Sequence, residues 1–527
     1  MSRFLVLSDD GYGVGLSLRL EAEGHEVRTW VKDPSGDDFC KGLIQKADKY
    51  SYCQNVIADC TNFGALLDML RDSGVATFGG SSFADELEGD RELSEEVMQS
   101  VKIDTPKSTR VSSWDDAAKK VERLAQNSGR VVLKPEGELS GVVPSYVAHD
   151  EADALAALKD FERQAGAAEP QLVIQEFIEG VAVSTEGWFN GEDWAEGMFN
   201  HTLEKKATLN GDLGPDAGCA GNIVWRCDSK DPIVEETLQK LTNTLREKHY
   251  VGPFDINCVV NKKGIYGLEF TPRFGYDAMP TLLYALCDFN FGSFVYDMAH
   301  LRGLGQALKE GFGTGVRLTL PKDNREHLRI GGLEYETFQS LYPFAVQYDD
   351  KNGFTTAPNS DHLGVVNAFG DTIGEAFARV YDVCSRIKVR GLGYRTDLSE
   401  SLLKDFRELR QILTGEDEGW YGVDLDGTLA KYSEWADEIG EPLPVSVQRV
   451  KRHISEGKEV RIFTARGSVD GDSSNRHQQI VKIHDWVKTH IGTPLEVTHS
   501  KDPKMIRLDD DRVRQVDPET GALIGSN

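Results

Sequence analysis

Asp424 and Asp426, one residue apart in YGVDLDGTLA (421–430), are the side chains best placed by type and spacing to move a phosphoryl group. An apolar run ending in a tight glycine turn reads as a buried strand. Its alternation sends both carboxylates from one side of the strand's end into the crevice above a parallel sheet. Two carboxylates there can hold magnesium, and one of them can attack phosphorus. Matching groups follow in order. EVRIFTAR (459–466) reads as a second buried strand that ends on Thr464, whose hydroxyl is placed to bond a phosphate oxygen. Lys501 comes in THSKDPK, and MIRLDDDR ends a further strand on Asp509, Asp510 and Asp511. The short stretch between the first two motifs leaves room for a small helical insertion but not a large cap, so the site is expected to be open to bulky substrates.

Together these elements resemble the haloacid dehalogenase superfamily of phosphatases across about residues 418–527. The resemblance implies a nucleophile at Asp424, a general acid/base at Asp426, and phosphoryl binding by Thr464 and Lys501. It also implies magnesium held at Asp424, Asp426 and a late acidic pair, Asp510 and Asp511, although three consecutive aspartates allow two registers.

The elements around this unit must fill a much longer chain. At 527 residues it exceeds a single core and predicts three or four domains. Lys and Arg number 59 against 86 Asp and Glu, a formal charge of −27. Such a surface repels polyanions, so nucleic-acid binding is not expected. No apolar run approaches a membrane span, and MSRFLVLSDDG reads as a strand and turn rather than a cleavable signal. A soluble, cytoplasmic protein with no membrane partner is the expectation. Cys40, Cys53, Cys60, Cys219, Cys227, Cys258, Cys287 and Cys384 form no C-x-x-C pair and read as reduced, mostly buried thiols. TGEDEG (414–419) is the clearest linker, following the helical pattern SESLLKDFRELRQIL.

RFLVLSDD, the turn GYGVG and the amphipathic LSLRLEAEGHEVRTW open a doubly wound α/β domain that continues to about residue 107. GYGVG lacks the spacing of a dinucleotide fingerprint and reads as a plain tight turn. In RVVLKPEGELSGVV (130–143) a buried strand delivers Lys134 beside a glycine-containing loop. A buried ammonium must find an anion, and nucleotide phosphate is a natural one. QLVIQEFIEG places Glu176, Phe177 and Ile178 where backbone groups could read an adenine edge. In GPFDINCVVNKKGIYGLEFTPRFGYDAMP (252–280), two strands joined by a turn at Asn261 to Gly264 form a hairpin with Asp255 on one arm and Glu269 on the other. These carboxylates can meet across the hairpin to hold magnesium, with Arg273 stabilising charge on the transferred group. The alternative, solvated cross-strand charges, is disfavoured by IYGLEF, where the acid ends an apolar strand.

These segments, with FGGSSFADELEGDRELSEEVM (78–98), LNGDLGPDAGCAG (209–221) and GVVNAFGDTIGEAFARVYDVCSRIKVRGLGYRTDL (364–398), resemble the ATP-grasp superfamily and, within it, the phosphoribosylamine–glycine ligase family, over about residues 1–408. The resemblance implies that Lys134 contacts ATP phosphates, Glu176 to Ile178 line the adenine pocket, Glu269 and Asp255 bind magnesium, and Arg273 faces the reacting carboxyl-phosphate. Arg91 stands where the family has a lysine, and Asp212, Gly214 and Pro215 match a loop that closes near the acceptor. The implied chemistry is attack of a carboxylate on the γ-phosphate, giving an acyl phosphate and ADP, then capture by an amine. There are departures. Thr271 replaces a metal-binding Asn, and GELSGVVP keeps Gly137 and Gly141 of the phosphate loop but loses its Lys. Val181 and Ala182 replace a ribose-binding Glu, with Glu179 and Glu186 as nearby substitutes. FGYDA replaces FGDPE, and the N-terminal GxGGREH loop is absent. The last two bear on the substrate rather than the nucleotide.

The expected architecture is multidomain α/β: an N-terminal doubly wound domain (1–100), an ATP-grasp fold (101–305), a small closing domain (306–408), a linker (409–418) and a Rossmann-like haloacid dehalogenase domain (419–527). The expected function is a bifunctional ligase and phosphatase using ATP and Mg2+, with small-molecule carboxylate and amine substrates and a phosphorylated substrate for the C-terminal domain. Two other readings stay open: an active phosphatase whose ATP-grasp part senses nucleotide, and a non-catalytic scaffold.

Overall fold

The computed structural model describes the chain except for residues 1, 34–37, 49–53, 141, 167, 276, 303–304, 322–326, 359, 416–418, 433–437, 468–472 and 514–527. Gly141, Cys53, Tyr276 of FGYDA and the interior of the expected linker lie outside the described residues. The seven described cysteines are free thiols, and all but Cys227 are buried. Among the described residues no helix is long and apolar enough to cross a membrane.

The strand Arg3–Ser8 is apolar along most of its length, as a strand covered on both faces must be. It lies inside a four-stranded parallel sheet ordered Glu26–Val31, Arg3–Ser8, Asn55–Ala58, Ala76–Phe78. The loop after it closes on itself. The Ser8 hydroxyl accepts from the amides of Gly11 (3.1 Å) and Gly13 (3.3 Å) and donates to Asp59 (2.5 Å). A Cβ on Gly13 would overlap the Asp59 carboxylate. The amides that could cradle a phosphate are thus already used in the turn.

A second, antiparallel sheet orders Ser108–Arg110, Leu172–Glu176, Val131–Pro135 and Tyr146–Val147. Helices Trp114–Ser128 and Glu151–Ala165, capped by Ser113 and Asp150, cover it through a core including Val121, Leu133, Leu158, Phe161 and Ile174. The largest sheet is antiparallel and eight-stranded: Gly264–Thr271, Val251–Asn261, Val181–Asn190, Asn200–Leu209, Leu213–Arg226, Phe312–Thr319, His362–Gly370, Leu341–Pro343. The expected boundary at 305/306 therefore falls between strands of one continuous sheet. The strand Phe312–Thr319 pairs with Leu213–Arg226 far upstream, a long-range ladder that carries no local sequence signal.

Helix Leu398–Thr414 leads to the C-terminal unit. There four parallel strands are ordered Glu496–Thr498, Glu459–Phe463, Trp420–Asp424, Met505–Asp509. Helices Pro444–Ser455 and Ser473–Ile491 pack on the sheet, with Val423, Leu425, Val450, Ile462, Ile483 and Val487 in the core between them.

Candidate functional site

Parallel pairing brings the C-terminal ends of three strands together, and with them the acidic groups. Oxygens of Asp424, Asp510 and Asp511 all lie within 4.8 Å of one another. Burial, then the charges of Asp510 and Asp511, push the Asp424 carboxyl up to about 7. A divalent cation among the three would relieve that repulsion, so the donor set fits magnesium. Asp509, the first of the three consecutive aspartates, turns away to Arg449 (2.9 Å) and Arg507 (2.7 Å). Gly427 makes the approach possible at φ 93°, since a Cβ there would sit 2.8 Å from the Asp511 carboxylate. The Asp511 amide donates to the Thr428 hydroxyl at 2.9 Å.

Asp426 is not free to join this group. Arg466 grips it with Nε at 2.7 Å and Nη2 at 2.8 Å. Thr464 is buried at the end of its strand, its amide bonded to the Thr498 carbonyl (2.9 Å) and its hydroxyl accepting from the Arg466 amide (3.2 Å). Lys501 is exposed in the segment after Glu496–Thr498 and makes no polar contact with a described residue. Sequence reasoning missed Arg466, although its place two residues after Thr464 was a usable signal.

The second constellation lines a cleft of about 590 Å³ between helix Arg91–Ser100, strand Val131–Pro135 and strand Gly264–Thr271. Arg91, Lys134, Glu269, Thr271 and Arg273 all face it. Burial pulls the Lys134 ammonium below its ordinary range, partly offset by the charge of Glu269. Arg273 is held by Glu88, at 3.1 Å through Nε and 2.9 Å through Nη2. Glu88 was also missed, since nothing in its helix marks it.

Three expectations need correction. Asp255 and Glu269 do not meet across the hairpin, because the register sets Asp255 opposite Thr271 and Asn257 opposite Glu269. Asp255 is buried, accepting from Thr271 (2.7 Å) and Ser184, and burial raises it to about 7. Glu269 is exposed and accepts a 3.4 Å bond from Asn257. Glu186 does not reach the nucleotide side either, being buried with Trp188 (2.7 Å) and Asn200 (3.3 Å) as donors. Asp212 is tied by Arg395 (2.7 Å) and Gly211 by Asp397 (2.7 Å), so the loop carrying Asp212 and Gly214 is latched to residues 395–397 rather than lying in the cleft.

Glu176, Phe177 and Ile178 open onto a different, larger groove of about 2430 Å³. Its other walls are the turn Asn261 to Lys263, helix Leu398–Thr414, and Glu459, Met505 and Ile506 at the starts of two C-terminal strands. The Glu176 carboxylate accepts from the Lys107 amide (2.8 Å), and the Arg130 guanidinium lies 3.9 Å from the Phe177 ring centre.

Residues 89–278 match the family model described as phosphoribosylglycinamide synthetase, ATP-grasp (A) domain. That segment is an ATP-grasp domain of this type. The phosphoribosylamine–glycine ligase of Leifsonia xyli is 24% identical over 352 residues, covering 63% of this chain and 80% of the relative. The one from Halalkalibacterium halodurans is 26% identical over 361 residues, covering 64% and 80%. Among solved structures, phosphoribosylamine–glycine ligase from Thermotoga maritima superposes with a TM-score of 0.58 at 18% identity, over 75% of this chain and 99% of that one. Phosphoribosylglycinamide synthetase from Anaerococcus prevotii gives 0.51 at 13%, over 74% and 99%. The fold is shared with these ligases.

Proposed function

We propose that this chain is an ATP-dependent carboxylate–amine ligase working through an acyl phosphate, joined to a magnesium-dependent phosphatase. The observation that carries the ligase reading is the convergence of Lys134, Glu269, Thr271 and Arg273 on one cleft within an ATP-grasp domain. Lys134 draws the nucleotide phosphates, its partly buried charge favouring an anion over water. Glu269 is the exposed carboxylate that would hold magnesium, which supplies charge neutralisation when two anions approach. Arg273 receives the acyl phosphate by exchanging Glu88 for it. The relatives' names, phosphoribosylamine–glycine ligase, support an amino-acid carboxylate and an amine-bearing sugar phosphate as the substrate classes.

In the C-terminal unit Asp424 attacks phosphorus, and the leaving ester oxygen takes a proton from Asp426. Water then cleaves the aspartyl phosphate to release inorganic phosphate. Thr464 and Lys501 bind the phosphoryl oxygens, and Asp424, Asp510 and Asp511 would hold the magnesium that neutralises them. This site lies at the C-terminal edge of its sheet, whereas the groove beside Glu176 touches the opposite edge at Glu459 and Met505. A five-residue strand separates the two edges by roughly 13–16 Å.

One observation favours a second reading, a nucleotide sensor: Thr271 is bonded to Asp255 and Arg273 to Glu88, so both side chains have partners within the chain. The deciding experiment follows ADP release with Mg2+ across pairs of amino acids and amine-bearing sugar phosphates, with Lys134→Ala as control. Turnover requiring both co-substrates and lost in the control supports the ligase. ATP binding without turnover on any pair leaves the sensor.

A further inference from the structure

Helix Leu398–Thr414 turns Glu400, Lys404, Arg407, Glu408 and Gln411 toward the larger groove, a spacing that puts them on one face. Among these Arg407 stands apart. It is partly buried, and its Nε is sealed from solvent with no hydrogen-bond partner among the described residues. The acidic group nearest to it in effect is Glu459, but that carboxylate is committed to Arg461 through Nη2 at 2.6 Å and Nε at 2.7 Å. Burial accordingly pulls the Arg407 guanidinium below its ordinary range, with Glu459 only partly opposing. A half-buried guanidinium whose Nε has no hydrogen-bond partner among the described residues is costly, and such a cost persists where a ligand offsets it.

Several cations reach the same surroundings. Lys107, Lys262, Lys263, Lys404 and Lys504 reach the same groove from the segment before strand Ser108–Arg110, the hairpin turn, the helix and the C-terminal unit. They do so in a chain whose formal charge is −27. The acids that share the groove, Asp104, Asp397 and Glu459 as well as Glu176, Glu179, Glu400 and Glu408, are at least as numerous as its cations and keep it from being a general sink for polyanions. We propose that Arg407 is the centre of a phosphate-binding site at the junction of the ATP-grasp domain and the C-terminal unit. Its planar fork takes two phosphate oxygens in parallel, and the flexible lysines supply the balancing charge. The site is distinct from the cleft of Lys134, which Arg407 does not line, and it does not depend on either catalytic reading. The phosphate can belong to a nucleotide whose base lies against Glu176 to Ile178, or to a separate phosphorylated molecule.

The test is calorimetric titration of the full chain with inorganic phosphate, and separately with ADP, for wild type, Arg407→Gln and Lys134→Ala. The expected result is phosphate binding that weakens about tenfold or more in Arg407→Gln and stays near wild type in Lys134→Ala. If ADP affinity falls in parallel in Arg407→Gln, the phosphate is the nucleotide's; if ADP affinity holds while phosphate binding is lost, the ligand is separate. Equal phosphate affinity in wild type and Arg407→Gln overturns the site. Thermal melting separates binding from misfolding. Arg407→Met is expected to melt no lower than wild type without phosphate, because an uncompensated charge is removed, and to lose the rise in midpoint that phosphate gives wild type. A phosphate-induced rise that persists in Arg407→Met counts against the proposal.

Discussion

Arg466 holds Asp426 by two parallel hydrogen bonds, 2.7 and 2.8 Å long, while Asp424, two residues before it, faces the carboxylates of Asp510 and Asp511. Two acids one residue apart on one strand end therefore sit in opposite electrostatic surroundings. Replacing Arg466 with Gln removes the fork that orients Asp426. Hydrolysis of a generic phosphate ester is expected to fall about 10²-fold, and Arg466→Lys to restore little of it, because an ammonium cannot form both bonds. Steady-state turnover of p-nitrophenyl phosphate reads the effect.

The three late aspartates make a sharper prediction. Asp510→Asn and Asp511→Asn should each raise the Mg2+ concentration for half-maximal hydrolysis by about tenfold or more, since each removes a charge from the cluster. Asp509→Asn should leave that requirement within about twofold, its carboxylate being spent on Arg449 and Arg507. A magnesium titration of the three variants decides it. An Asp509 variant as impaired as the others would falsify the observed register.

In the ATP-grasp cleft, the Glu88–Arg273 pair predicts an asymmetry. If Arg273 leaves Glu88 for the acyl phosphate, Glu88→Gln should keep ADP-forming turnover within a few-fold of wild type or raise it. Arg273→Lys should lower it about 10²-fold. Losses of the same size in both variants would mean the ion pair itself is what the reaction needs.

Asp59 gives a dependence on pH. It is buried, and burial raises it from the ordinary carboxylate range to about 7 against bonds from Cys60, Ser8 and Gly13. The folded state therefore keeps a proton that the unfolded chain releases near pH 4. The stability linked to this proton is fully present below about pH 4 and is lost as pH rises through about 7. Asp59→Asn, which cannot ionise, is expected to flatten this slope and to raise the melting midpoint at pH 8 more than at pH 5. Melting curves of both proteins from pH 4 to 8 check the sign.

Much of the local framework of the candidate sites is legible in the sequence. The strand and turn before Asp424, the strand ending at Thr464 and the hairpin with its turn at Asn261 to Gly264 all appear where period and punctuation put them. These are local features: a buried strand needs an apolar run, and a tight turn needs its glycine. What failed was side-chain pairing. Asp255 was expected to meet Glu269, but that depends on the register between two strands, and here Asp255 faces Thr271. Glu186 was one of two substitutes, with Glu179, for a ribose-binding Glu, but it is buried and bonded by Trp188. The first outcome is not written in the spacing of either strand alone.

The sequence by itself determined the inventory: an acidic pair on one strand end, a lysine on another, an ATP-grasp order of segments, and a charge that discourages polyanions. Those follow from residue type and short-range periodicity, which act within a few residues. The tertiary structure decided who faces whom. It chose Asp510 and Asp511 over Asp509 and gave Asp426 to Arg466 and Arg273 to Glu88. It also continued one sheet through the expected boundary at 305/306 and left the Arg407 Nε without a hydrogen-bond partner among the described residues. Each of these joins residues distant in sequence. Their pairing is set by how sheets and helices close around a shared core, where desolvation penalises every charge that does not find its partner.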